Sequence, residues 1–236
     1  MKLIKFTSML DDGIGSPEPI KKFIPDWYKK AETYYVSESD NVSVEDGTQE
    51  KMAGLKTCVP YLDSMIFGYA IVTPFDIFIG KNDDGTIAIK WNGPDSWGDF
   101  INERPKESGS TMPRPTGHYP NHLVWSNRWG FRAPRGYSVL VTHPLNRHDL
   151  PFTTLSGLID SDKFWANGNL PFFIKEDFIG IIPKGTPVAQ IIPIKRKKWK
   201  MIKTQGYKDI YSKQGLVARK KETNYKKKDW VKKVFE

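Results

Sequence analysis

Between residues 143 and 162 the chain gathers side chains suited to chemistry: His143, Asn146, Arg147, Asp160 and Asp162. Arginine offers a planar fork to phosphate or carboxylate, asparagine a donor and an acceptor, and the carboxylates can hold a metal ion or a hydroxyl. Two arrangements fit these types. In one they line a ligand pocket, with Trp165 available for stacking. In the other, Arg147 pairs with an acid while Asn146 and Asp160 satisfy backbone groups at turns. All four histidines, His118, His122, His143 and His148, fall between residues 118 and 148, with Asp149 adjacent. Imidazoles with a carboxylate suit zinc or iron. Pro120 interrupts the His118–His122 pair, so the two cannot share a helical face, and no His-x-His spacing occurs. The expectation is no metal site, with His143 hydrogen-bonded at a strand end and His118 and His122 on a loop.

A second chemistry lies in the tail. Residues 195–236 hold sixteen Lys and Arg against four acids, which leaves twenty basic and twenty-three acidic residues in 1–194. The net charge of +9 therefore belongs to a basic segment on a near-neutral body. Lys195, Arg196, Lys197 and Lys198 precede Trp199, and Lys226, Lys227 and Lys228 precede Trp230. Lysine interleaved with tryptophan suits an acidic protein partner, a neighbouring subunit or nucleic-acid phosphates. A plain solvated arm fits as well. Trp91, Trp97, Trp125, Trp129, Trp165, Tyr119 and Tyr137 can stack on bases or sugars, although aromatics in β-proteins mostly fill cores.

The elements that must position these groups read as strands. GYSVLVTHP, LPFFIKEDF and PVAQIIPI are short, rich in Val, Ile and Phe, and bounded by Gly, Pro and Asn. Ile182-Pro-Lys-Gly185 makes a tight turn before the last of them. Asn82-Asp-Asp-Gly85 predicts a hairpin between Phe75–Ile79 and Thr86–Trp91. Further strands are expected at Lys2–Phe6 and Tyr69–Val72, and short helices over residues 25–30 and 60–67. Residues 92–122, dense in Pro, Gly, Ser and charge, read as a long mobile loop or lid. The expected fold is mainly β, a β-clip-like (dUTPase-like) barrel or a related β-sandwich with a few short helices. It is organised as a core over 1–194 and a basic C-terminal arm over 195–236.

At 236 residues the chain can bury a sizeable core. No apolar run is long enough to span a membrane, and the first ten residues lack a signal-peptide pattern. The single cysteine, Cys58, excludes an internal disulfide framework and fits a reducing compartment, with packing rather than nucleophilic chemistry as its expected role.

Gly157-Leu-Ile-Asp-Ser-Asp162 followed by Pro183-Lys-Gly-Thr-Pro-Val-Ala-Gln190 resembles the third signature of the trimeric dUTPase and dCTP deaminase superfamily and the strand after it. That resemblance covers about forty residues. It implies a distorted β-barrel, with Asp160 as the carboxylate that activates water and a Mg²⁺-dependent nucleoside triphosphate pyrophosphohydrolase activity. Other family elements are missing: Lys163 stands where an aromatic is usual, no Asp-x-Gly-x-Asp-Leu occurs, Pro134-Arg135-Gly136 only echoes the phosphate-binding step, and the tail has lysines in place of a glycine-rich clamp. Over about 150 residues, including Cys58–Asp63, Thr142–Arg147 and Gly157–Asp160, the chain resembles an uncharacterised family of phage and bacterial proteins. This resemblance implies a virus-encoded or virus-derived β-rich protein, in the host cytoplasm or the virion, neither secreted nor in a membrane.

The expected function is a non-enzymatic structural or interaction protein that needs no cofactor and docks or self-associates through its basic arm. The alternatives are a dUTPase-related hydrolase, the one case that calls for Mg²⁺, and single-stranded nucleic-acid binding.

Overall fold

A computed structural model describes residues 2–10, 12–36, 51–109, 111–165, 168–206, 226–227 and 230–236. In chain order the strands are β1 (Lys5–Ser8), β2 (Glu18–Pro19), β3 (Tyr34–Val36), β4 (Lys51–Ala53), β5 (Tyr69–Val72), β6 (Ile77–Lys81), β7 (Ile87–Trp91) and β8 (Ile101–Glu103). They continue with β9 (Leu123–Ser126), β10 (Trp129–Arg132), β11 (Tyr137–Thr142), β12 (Phe152–Thr154), β13 (Gly157–Ile159), β14 (Asn169–Ile174), β15 (Gly180–Ile182) and β16 (Pro187–Lys195). The two α-helices are short, α1 (Asp26–Lys30) and α2 (Val59–Ile66).

The fold is mainly β. All strand pairs are antiparallel, in sheets ordered β13-β11-β16-β5-β2, β12-β14-β9-β8, β15-β6-β7, β1-β10 and β3-β4. Among the described residues no sheet closes on itself into a barrel. No helix there is long and apolar enough to cross a membrane.

The residues form two compact units. The first comprises Met1–Phe23, Met65–Arg196 and Phe235–Glu236. Its centre is β16, whose first six residues are all buried because it lies between β11 and β5. A strand covered on both faces needs a continuous apolar run, and Pro187-Val-Ala-Gln-Ile-Ile192 supplies one with a single polar exception. Trp125 of β9 stacks on Phe172 of β14, ring centroids 3.7 Å apart and planes 7° off parallel. Its indole N–H reaches Thr154 Oγ1 at 3.3 Å, and that hydroxyl donates to the Val188 carbonyl at 2.6 Å. Each large aromatic buried this way contributes roughly 1.5–3 kcal/mol.

The Asn82–Gly85 turn forms as predicted, and the turn expected at Ile182–Gly185 closes one residue later, at Pro183–Thr186. Gly85 N–H bonds the Asn82 carbonyl at 2.9 Å between β6 and β7, and Thr186 N–H bonds the Pro183 carbonyl at 3.1 Å before β16. The stretch 92–122, expected as a loop, also contains β8 and three buried apolar side chains, Trp97, Phe100 and Ile101. Its apolar residues are spaced too irregularly between Pro and Gly for a period to show. His118, expected on an exposed loop, is buried; its Nδ1 lies 3.0 Å from the Thr116 carbonyl and its Nε2 3.0 Å from Thr153 Oγ1. Trp97 and Trp125 are core residues, while Trp165 remains exposed.

The second unit comprises Ile24–Ser64 and Lys197–Val234, two segments the sequence reading did not associate. Within it Tyr28 is buried beside Tyr61, ring centroids 6.1 Å apart. Asp63 accepts the Trp230 indole N–H at 2.8 Å and the Lys233 ammonium at 2.6 Å. Cys58 is exposed, not packed, because it sits at the start of α2 beside the solvent-facing Pro60.

Candidate functional site

The residues singled out by their chemistry divide between the two ends of β11. Six residues of extended chain separate those ends, about 20 Å, so His143, Asn146 and Arg147 do not share a cleft with Asp160 and Asp162.

At the Thr142 end, Pro144–Arg147 is a β-turn closed by the Arg147 N–H to the Pro144 carbonyl at 3.2 Å, with Asn146 at φ 62°. Asparagine tolerates this left-handed conformation in the third position of a type II turn. Arg147 spends its fork on Asp149, Nε–Oδ1 and Nη2–Oδ2 both 2.9 Å, and its Nη1 on the Phe23 carbonyl at 2.9 Å. His143 is fixed as a single tautomer: Nδ1 accepts the Thr154 N–H at 3.3 Å, so Nε2 carries the proton and donates to the Arg147 carbonyl at 3.0 Å. Burial lowers its pKa, keeping the ring neutral. Both nitrogens are therefore committed. Beside this turn lies a cleft of about 680 Å³ whose wall includes His118, His143, His148, Thr153, Ser156 and Lys175.

Gln190, which sequence reading saw only as part of a family resemblance, supports this turn from inside. Fully buried, it accepts the Leu145 N–H at 2.8 Å and donates to the Phe67 carbonyl at 2.7 Å. The Pro183–Thr186 turn of the same resemblance is likewise held by the body. Thr73 Oγ1 donates to the Pro183 carbonyl and accepts the Thr186 N–H, at 2.8 and 3.0 Å, and Asp76 accepts the Lys184 N–H at 2.7 Å.

At the Tyr137 end, β13 delivers Asp160 and Asp162 to Arg196, the residue following β16. Asp162 accepts both ends of the Arg196 guanidinium and the Gly136 N–H at 2.8 Å. Its side chain is only 4% exposed. Arg196 first, then the Gly136 N–H, holds its pKa down at about 2. Asp160 is 58% exposed in its side chain; one oxygen takes the Ser138 hydroxyl at 2.7 Å and Arg196 Nη1 at 3.0 Å. The Ser138 hydrogen bond first, with Arg196 behind it, lowers its pKa, so it is ionised at neutral pH. Gly136 occupies the third position of the Pro134–Tyr137 turn at φ 84°, a conformation that glycine adopts without strain, and its carbonyl accepts the Arg196 N–H at 2.9 Å.

Arg196, assigned to the basic arm by its place in a Lys/Arg run, is thus an internal clamp on the Gly157–Asp162 segment. The signal that would have separated it is its position at the end of β16, opposite Gly136. Lys195 is the last residue of β16 and exposed, as are Lys197, Lys198, Lys226 and Lys227; Lys228 lies outside the described residues.

Asp162 does not fit a divalent cation, since the Arg196 guanidinium occupies both of its oxygens, and Arg196 takes one oxygen of Asp160 as well. Among the described residues no three His, Cys, Asp or Glu side chains form a metal-binding group. Arg132, Arg135, Gly136, Asp162, Lys163 and Arg196 surround a cleft of about 490 Å³, and the Arg132 guanidinium carbon lies 5.9 Å from the centroid of the Trp165 ring. No protein-family model and no curated protein matches this chain.

Proposed function

We propose that this chain is a non-catalytic interaction protein, encoded by a phage or derived from one, that docks on an acidic protein surface through the segment following β16. The observation supporting this is the exposure of Trp199, Met201 and Ile202, at 87%, 80% and 76%, among Lys197, Lys198, Lys200 and Lys203. Apolar side chains held in water beside cations gain on meeting a surface that offers both apolar area and carboxylates. The site residues add support of a second kind: His143, Arg147 and Asp162 already spend their polar atoms on the protein itself. The test is binding of the full chain to immobilised poly-L-glutamate, against a variant carrying K197Q, K198Q, W199A, K200Q and K203Q. Equal retention of both proteins sinks the proposal. Retention of an oligonucleotide in place of poly-L-glutamate points to nucleic acid as the partner.

A second reading, a nucleotide-binding hydrolase with Asp160 as general base, is favoured by one observation. Asp160 is ionised, largely exposed, and has one carboxylate oxygen without a hydrogen bond among the described residues. Pyrophosphate release from deoxynucleoside triphosphates, abolished by Asp160→Asn, would establish it. The absence of turnover with every nucleotide would remove it.

A further inference from the structure

We propose that the cleft at the Tyr137 end of β11 is a binding site for a phosphate ester carrying two or more negative charges. Four cations border it, Arg132, Arg135, Lys163 and Arg196, against one lining carboxylate, Asp162. Asp162 is neutralised within the protein by the Arg196 fork and the Gly136 N–H. Asp160, just outside the cleft, shares the same guanidinium and sets its remaining charge against its neighbours. Counting both carboxylates, the border keeps a surplus of two positive charges, which a single carboxylate ligand would leave half unmatched.

The surplus is held in place by the backbone. Arg135 occupies the second position of the Pro134–Tyr137 turn, and Arg132 is the last residue of β10, its Nη2 3.3 Å from the Asp162 carbonyl. Lys163 is fixed by its N–H to the Asp160 carbonyl at 3.0 Å. Among the described residues neither Arg135 nor Lys163 makes an ion pair, so their charges are available to a ligand. Two guanidinium forks and an ammonium around one concavity suit phosphoryl oxygens, which accept several charge-assisted hydrogen bonds at once. A volume of about 490 Å³ is that of a small-molecule site. The terminal phosphates of a free nucleotide and the backbone of a polynucleotide share this chemistry.

The probe is inorganic pyrophosphate, titrated calorimetrically into the full chain in phosphate-free buffer. The wild type binds it with one-to-one stoichiometry. The double variant R135A/K163A, which alters only exposed side chains without ion pairs, keeps the wild-type melting temperature and binds at least about tenfold more weakly. The variant K197Q/K198Q/K200Q/K203Q binds as the wild type does. No binding by the wild type at millimolar pyrophosphate overturns the proposal, as does binding lost in the lysine variant but kept in R135A/K163A. Competition by a twelve-residue oligothymidylate supports the site with a polymer as its source, and binding without such competition supports it with a small phosphate ester. Because the cleft and the lysine segment are altered separately, failure here leaves the docking proposal standing, and the reverse holds too.

Discussion

The guanidinium of Arg196 meets both oxygens of Asp162, and the Gly136 N–H completes the carboxylate's coordination from a turn sixty residues earlier in the chain than Arg196. Three strand ends, those of β11, β13 and β16, are joined at this contact. Its pH behaviour follows from the sign of the shift. A carboxylate held down at about 2 in the folded protein adds stability fully present above its ordinary pKa of about 3.9. That stability is lost as pH falls toward 2. Thermal melts of wild type and Asp162→Asn should therefore show a constant gap above about pH 4 that closes toward pH 2.

His143 is also shifted downward, but by burial. Burial lowers its pKa, so the unfolded chain takes up the proton first as pH falls below about 6.5. The stabilising contribution of neutral His143 is present above that value and is lost as pH falls through the folded pKa. His143→Asn should flatten the melting profile between pH 7 and 5. A ring nitrogen NMR spectrum at pH 7 should show the Nε2–H tautomer.

Gln190→Leu preserves bulk and removes the amide that joins Leu145 to Phe67. A buried backbone group left without a partner costs about 1–3 kcal/mol. Urea denaturation should show a loss of that order with an unchanged slope.

Gly68 precedes β5 at φ 97°, and a Cβ there would lie 2.3 Å from the Ile191 carbonyl oxygen. No side-chain rotation relieves a clash with backbone. Gly68→Ala should fail to give soluble folded protein, whereas alanine at Gly85, where a Cβ meets nothing within 4 Å, should cost only the strain of its own positive φ.

Trp199→Ala removes a side chain that is 87% exposed. Its melting temperature should match the wild type within about 1 °C, while retention on poly-L-glutamate falls.

Strands were legible where burial on one or both faces forced an apolar run: β11 lies within GYSVLVTHP, and β14 and β16 each extend one residue beyond LPFFIKEDF and PVAQIIPI. The Asn82–Gly85 turn was legible because few residues fit it, and the turn before β16 was legible to within one residue for the same reason. The three-residue β8 was not, since its period cannot show between Pro and Gly. At the candidate site the residues read as one set in sequence do not form one group in the structure. Arg147 and Asp160 are thirteen apart in sequence, yet the strand pairing puts them at opposite ends of β11, and only the register of β11 against β13 and β16 reveals it. Arg196 looked like tail for the same reason: its partner is fixed by register, with Lys195 opposite Tyr137.

The outer position of β13 in its sheet has a cost and a remedy. A strand edge with open N–H and carbonyl groups is a template on which another chain can add itself, and Leu158, 65% exposed, makes this one adhesive. The strand is three residues long and ends in the Asp160–Arg196–Asp162 charges, which a second copy's strand would have to strip of water before it could extend the pairing. The same ion cluster that joins the strand ends thereby guards the molecule against edge-to-edge aggregation.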